Sequence, residues 1–405
     1  MACAALLMSV LAPLEYFHRG GALAAKEHLK GGMFYSIAFL SADYFDFGFI
    51  RRGLGGTIAH LFSADPYRAA LAFHLFSALL LIASLAAFQL RLRGRTNLLA
   101  ASFMAAFIAF SPQTFAAWSW DAGRTDLLVM ALIAAAALAQ ERSRPLLAAL
   151  LLWVGSLAHE TALIFGIPLL TTLAVARADG GSPRRRREWL ALATLAVAVL
   201  ATMLLQATVA PSRAAFVGGM LARIPLATEQ VYEDLRDCAV YMMTTGFRGV
   251  RTALCFNAYY PWYPLMVLAA VLVAAANALA LGLDRRPLLF VLAAALPMLF
   301  MNVVANDVGR WLKLAVAGSW ILSCVLQCRG ELALAPRRVA LGAVIVLVLL
   351  PMGATRVHQV SPAIATQIAA RFDWPPYPDT GVWMTHCDPQ WRAIVHHTTR
   401  RTDPR

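Results

Sequence analysis

Charge is scarce in this chain. Only 14% of its 405 residues are Asp, Glu, Lys or Arg, against about 25% in soluble domains. Six cysteines are too few for a disulfide-framework domain. The sequence holds no P-loop, no G-x-G-x-x-G turn, no G-x-S-x-G elbow and no Cys-x-x-Cys pair. It therefore lacks the usual nucleotide-phosphate cradle, the hydrolase nucleophile turn and the thiol redox pair. His159-Glu160-Thr161-Ala162-Leu163 begins like H-E-x-x-H, but the second histidine is missing, which removes the zincin reading. These shortages exclude a soluble enzyme, a disordered chain and a fibrous protein. Apolar residues are plentiful, at 60%, and they point to a polytopic membrane protein.

The apolar runs predict an all-α transmembrane helical bundle. A spanning helix needs about 20 apolar residues, and fewer when neighbours cover it. Residues 1–16 read as a weak first span. Stronger runs occupy 68–90, 97–117, 126–140, 188–210, 261–283, 287–304, 311–328 and 338–354. The apolar stretch between Arg144 and Arg177 is too long for one span and has basic flanks. It reads as two short helices, 145–158 and 161–176, turning at His159-Glu160. The total is about 11 spans. Residues 1–354 then form the transmembrane domain, with outer loops at 17–67 and 210–260, the first of them helical, and 355–405 form an outer tail. An alternative makes residues 1–25 a signal peptide, with Ala22-Leu23-Ala24-Ala25 as the cleavage region.

The net charge of +13 would suggest nucleic acid in a soluble protein; here its placement reads as topology instead. The short loops carry Arg91, Arg93 and Arg95; Arg142 and Arg144; Arg177 with Arg184 to Arg187; Arg285 and Arg286; and Arg329, Arg337 and Arg338. Short basic loops face the cytoplasm. The long segments should therefore be extracytoplasmic, and no nucleic-acid partner is expected.

Ionisable groups near hydrocarbon are costly, so each is a functional hypothesis. Four clusters fall on the same, outer side of this topology. The first runs from Asp43 through Asp46 to Arg51 and Arg52. The second holds Trp118, Asp121, Arg124 and Asp126. The third is His159-Glu160, and the fourth holds Asp307 and Arg310 beside Trp311. Carboxylates serve as general bases or metal ligands, arginine grips phosphate in a fork, and aromatics stack on sugars or sit at the head-group level. The mixture suits a site holding a phosphate-linked lipid and a sugar. Structural readings stand beside it. Asp43 or Asp46 could cap a helix beginning near Gly53 or pair with Arg51 or Arg52, and Asp307 could pair with Arg310. Cys238 and Cys255 share an outer loop in which an oxidising compartment would allow a disulfide.

This layout resembles the GT-C class of membrane glycosyltransferases, and Asp43-x-x-Asp46 stands where that class has its first-loop acidic motif. The spacing is D-x-x-D rather than the D-x-D of some members. The resemblance implies a sugar donor carried on polyprenyl phosphate and a glycan or lipid acceptor. It implies a bacterial inner membrane and a site facing the periplasm. Asp43 or Asp46 would act as base, with a divalent cation (Mg or Mn) left open. The departing phosphate would lie against Arg51, Arg52, Arg124 or Arg310. His159 would hydrogen-bond or protonate that phosphate, and Glu160 would fix the imidazole's tautomer. Polysaccharide polymerases of the bacterial surface look similar too. A polymerase or ligase acting on lipid-linked glycans is one alternative, and a transporter or flippase is the other.

Overall fold

The computed structural model describes residues 37, 39–92, 124–176, 183–209 and 211–223, with scattered positions between 293 and 329. The expected spans at 1–16, 97–117, 261–283 and 338–354, and the outer tail, lie outside the described residues; those at 287–304 and 311–328 are described only at single positions. Regular structure among the described residues is helical.

The chain enters through α1 (Tyr44–Phe47) and α2 (Gly53–Phe62). Asp43 starts α1: its Oδ1 accepts from the Phe45 and Asp46 amides at 2.8 and 2.9 Å, which satisfies two of the orphan donors of a helix start. Gly48, at φ 69°, ends it. The described part of the first loop is thus helical, as its sequence suggested, but the cap differs. Asp43 serves the one-turn α1, whereas α2 begins after Arg52 without a side-chain cap. The Tyr44 amide donates to Thr57 Oγ1 at 2.9 Å and ties the two helices together.

α3 (Pro66–Leu92) opens with Asp65 accepting from the Arg68 amide at 2.8 Å, and proline follows at the first helical position. α4 (Asp126–Glu141) is buried on nearly every side. A helix apolar all round belongs at the centre of a bundle. α5 (Pro145–Ala158) and α6 (Thr161–Val175) are the two short helices, broken at His159 and Glu160. They run antiparallel. Gly155 faces Ala162, Gly166 faces Leu152, and an added methyl at Gly166 would come within 2.5 Å of the Leu152 side chain. α7 (Pro183–Val209) packs on α5, where Trp153 donates to Thr202 at 2.9 Å. α8 (Arg213–Arg223) returns over the first loop.

Two helices, at Arg68–Phe88 and Pro183–Val209, are long and apolar enough to cross a bilayer. The outward side of α7 exposes Val197, Leu200, Met203, Leu204 and Leu205, a surface suited to lipid rather than water.

The apolar core has two parts. The larger joins α4, α5, α6 and the inner half of α3. The smaller gathers Leu40, Phe47 and Ile50 of the first loop with Phe73 of α3, Leu128 of α4, Ala158 of α5, and Phe216 and Met220 of α8. This second part fixes one end of the bundle, termed the Glu160 end. The opposite, Glu141 end is closed by arginines. Arg184 donates to the Gln140 and Glu141 carbonyls, each at 3.0 Å. Arg329 binds the Glu141 carboxylate at 2.6 Å and the Leu173 carbonyl at 3.0 Å. The basic segments 142–144 and 184–187 and Arg329 therefore share one end.

Candidate functional site

The site is built on the smaller apolar cluster. α2 comes so close to the preceding strand of chain that a methyl on Gly56 would lie 2.0 Å from the Ala42 carbonyl oxygen. A methyl on Gly55 would lie 3.2 Å from Thr125 at the start of α4. The Tyr44 hydroxyl reaches the Leu157 carbonyl at 3.5 Å, and Gln206 of α7 donates to the Ile50 carbonyl at 3.2 Å. Three polar clusters that are far apart in sequence, around Asp43, Arg124 and His159, thus share one end of the bundle.

Arg51 and Arg52 converge on Glu160. Both guanidinium groups hydrogen-bond Oε1, and Arg52 Nε also donates to Oε2 at 2.8 Å. Arg52 holds φ 60°, the left-handed region that a non-glycine residue seldom adopts. Its guanidinium lies 5.5 Å from the Phe39 ring centroid. The paired charges govern Glu160. Burial pushes its carboxyl up, but the Arg52 charge, then His159 when protonated, and Arg51 outweigh burial and hold the group well below the usual carboxylate range. Arg51 and Arg52 therefore pair with Glu160, not with Asp43 or Asp46.

His159 is buried, with extended backbone at the end of α5. The Thr161 amide donates to its Nδ1 at 3.2 Å, and the Thr161 hydroxyl lies 3.0 Å from the same nitrogen. Nδ1 accepts, so the proton of the neutral ring sits on Nε2. Glu160 Oε2 stands 3.7 Å from Nδ1, beyond a hydrogen bond. Thr161 fixes the tautomer, the task expected of Glu160.

The two first-loop aspartates differ. The Asp43 side chain is fully buried, whereas that of Asp46 is 56% exposed. Both carboxylates meet Arg223 of α8, which also donates to the Ser41 carbonyl at 2.8 Å. His60 Nδ1 stands 3.7 Å from Asp43 Oδ2. Among the described residues no group of three or more His, Cys, Asp or Glu side chains gathers as a metal site. Arg124 is half-buried, next to the start of α4, and Asp126 is buried on that helix. Trp118, Asp121, Asp307, Arg310 and the Cys238–Cys255 pair lie outside the described residues.

Sequence reasoning missed Arg223. One signal was present: Phe216, Met220 and Arg223 fall at helical spacing on one stripe. An arginine that continues an apolar stripe is aimed at the protein.

The family profile described as Glycosyltransferase family 87 matches residues 57–306, well over half of the chain. The chain belongs to Glycosyltransferase family 87. It is accordingly a glycosyltransferase, with a sugar donor and an acceptor as substrates, and its two long apolar helices make it a membrane protein. No curated protein and no solved structure gives a significant match. The match takes in Arg124, His159, Glu160 and Arg223, while Asp43, Asp46, Arg51 and Arg52 precede it.

Proposed function

We propose that this glycosyltransferase moves a sugar from a polyprenyl-phosphate carrier to a glycan or lipid acceptor, with inversion, at the extracytoplasmic face of a bacterial inner membrane. The observation that carries the reading is the meeting of paired guanidinium groups and an exposed carboxylate at the Glu160 end. One carboxylate, Glu160, faces two guanidinium groups. Two carboxylates, Asp43 and Asp46, face one guanidinium, Arg223. The first group sets two guanidinium groups side by side, a geometry suited to a phosphate, and the second leaves the Asp46 carboxylate 56% exposed, where an acceptor hydroxyl can reach it.

In the step this implies, Asp46, the accessible carboxylate, takes the proton from an acceptor hydroxyl. The oxygen attacks the anomeric carbon, the bond from that carbon to the phosphate oxygen breaks, and the electron pair leaves with the lipid phosphate. Arg51 and Arg52 stabilise the developing charge as a preorganised fork. His159 can supply a hydrogen bond from Nε2 to that phosphate. A divalent cation between the aspartates, the alternative for this site, would compete with Arg223 for their oxygens. Orientation rests on the Glu141 end, which carries Arg142, Arg144, Arg184 to Arg187 and Arg329 and so has the character of a cytoplasmic face. Family membership favours transfer over transport.

The test is transfer in proteoliposomes from a panel of radiolabelled polyprenyl-phosphate sugars and, separately, nucleotide sugars. Wild type should use a lipid-linked donor, and a folded Asp46→Asn variant should lose about 10²- to 10⁴-fold in rate. Transfer from nucleotide sugars alone would overturn the donor assignment. Full activity in Asp46→Asn would overturn the base.

A further inference from the structure

We propose that Arg223 is a positioning residue: anchored by the buried Asp43, it holds the Asp46 carboxylate in its reactive orientation and makes the segment at 211–223 part of the site. This rests on Asp46 as the base. Nη1 of Arg223 takes Asp43 Oδ2 and the Ser41 carbonyl, while Nη2 takes Asp46. The guanidinium also lies 5.3 Å from the Phe47 ring centroid. One side chain thus grips four points on seven consecutive residues, across 180 positions of sequence.

The two carboxylates have separate work. Asp43 is fully buried, and a buried carboxylate is tolerated when paired and hydrogen-bonded. It accepts from two amides of α1 with one oxygen and from Arg223 with the other. It is therefore a fixed anchor and has no room for an acceptor. Asp46 is the half-open group on the same guanidinium. The planar fork transmits the position of the first carboxylate to the second.

The apolar side of α8 fixes the root of the arginine. The Phe216 and Phe47 rings meet edge-on at 4.9 Å. Met220 is buried in the same cluster. Gly219 allows the close approach, since a methyl there would lie 2.7 Å from the Phe47 ring. A guanidinium that merely tied two loops together would not need a second carboxylate open to solvent.

The experiment compares Arg223→Gln, Arg223→Lys and Arg223→Ala with Asp46→Asn in proteoliposomes, measuring kcat, donor KM and the melting temperature of each. Arg223→Gln should lower kcat about tenfold or more while donor KM stays within about twofold, because the phosphate site lies on Arg51 and Arg52. Arg223→Lys should recover part of that loss, and added guanidinium should partly restore Arg223→Ala. Unchanged kcat in Arg223→Gln overturns the proposal. So does a loss that lysine and guanidinium both fail to relieve and that comes with a lowered melting temperature, which marks a structural tie. Where Arg223→Gln does not fold, the lysine variant and the guanidinium titration decide. An active Asp46→Asn defeats the base assignment itself, whereas an inactive Asp46→Asn beside a normal Arg223→Gln defeats only the role of Arg223.

Discussion

At the Glu141 end, Arg329 pairs with Glu141 and Arg184 stands 3.6 Å from Glu188, one turn further along α7. Further guanidinium donors there go to carbonyls near the ends of α4 and α6. These are the orphan carbonyls of helix C-termini, where cations are favourable. At the Glu160 end, two guanidinium groups share one carboxylate, and Asp46 stands open to solvent; a left-handed non-glycine residue occurs at each end, Ser143 at one and Arg52 at the other. The first arrangement completes helices. The second leaves charged groups accessible, where a ligand can reach them. Acid–arginine pairs in a membrane protein do not announce their purpose by type; exposure separates the two uses, since the Glu141–Arg329 pair is nearly buried and the Arg51, Glu160 and Asp46 side chains are not.

That contrast can be broken by the same substitution at each end. The Glu141 and Arg329 side chains are both nearly buried, and removing one partner of a buried pair costs about 3 kcal/mol. Glu141→Gln should lower the melting temperature in detergent and leave the activity of the remaining folded protein unchanged. Glu160→Gln should weight the two effects the other way, with donor kcat/KM falling about tenfold as Arg51 and Arg52 lose their shared anchor, and with a smaller fall in melting temperature than Glu141→Gln gives. Interchanged results would mean that the Glu160 end is the structural one.

A smaller effect sharpens the comparison within the Glu160 end. Gly56→Ala would drive a methyl against the Ala42 carbonyl, which is backbone and cannot turn aside. It should cost about 1–3 kcal/mol and displace Asp43 with it, so stability and activity fall together. Gly218, on α8, has open space around an added methyl. Gly218→Ala should stabilise by about 0.5–1 kcal/mol with activity retained. Equal melting temperatures for the two variants would refute the close packing of α2 on the residues before it.

Much of this architecture was legible. The short helices expected at 145–158 and 161–176 are Pro145–Ala158 and Thr161–Val175, because proline starts the first and the polar His159-Glu160 pair interrupts an apolar run too long for one helix. The span read as 188–210 begins earlier, at Pro183. The arginine run looked like a loop by charge, but arginine is a good helix former, and Arg184 finds carbonyl partners at the end of α4. What escaped the sequence was pairing across distance. Glu160 lies more than a hundred residues from Arg51 and Arg52, and no local spacing encodes that meeting. For the same reason Asp43 and Asp46 looked like partners of their neighbours Arg51 and Arg52 rather than of Arg223. Tautomer control passed from Glu160 to Thr161 because a backbone amide, invisible in composition, was nearer.

The smallest expected effect concerns pH. The folded pKa of Glu160 is lowered well below 4.5, so the unfolded chain binds its proton first as pH falls. The stabilisation from this group is complete above the unfolded value and is lost only as pH drops through the lower folded one. From pH 8 down to about pH 5, the difference in melting temperature between wild type and Glu160→Gln should therefore stay constant, and it should narrow only in stronger acid. A difference that closes between pH 7 and pH 5 would show that Glu160 takes up its proton there. Arg51 and Arg52 would then not dominate its surroundings, and the reading of Glu160 as their shared ionised anchor would fall.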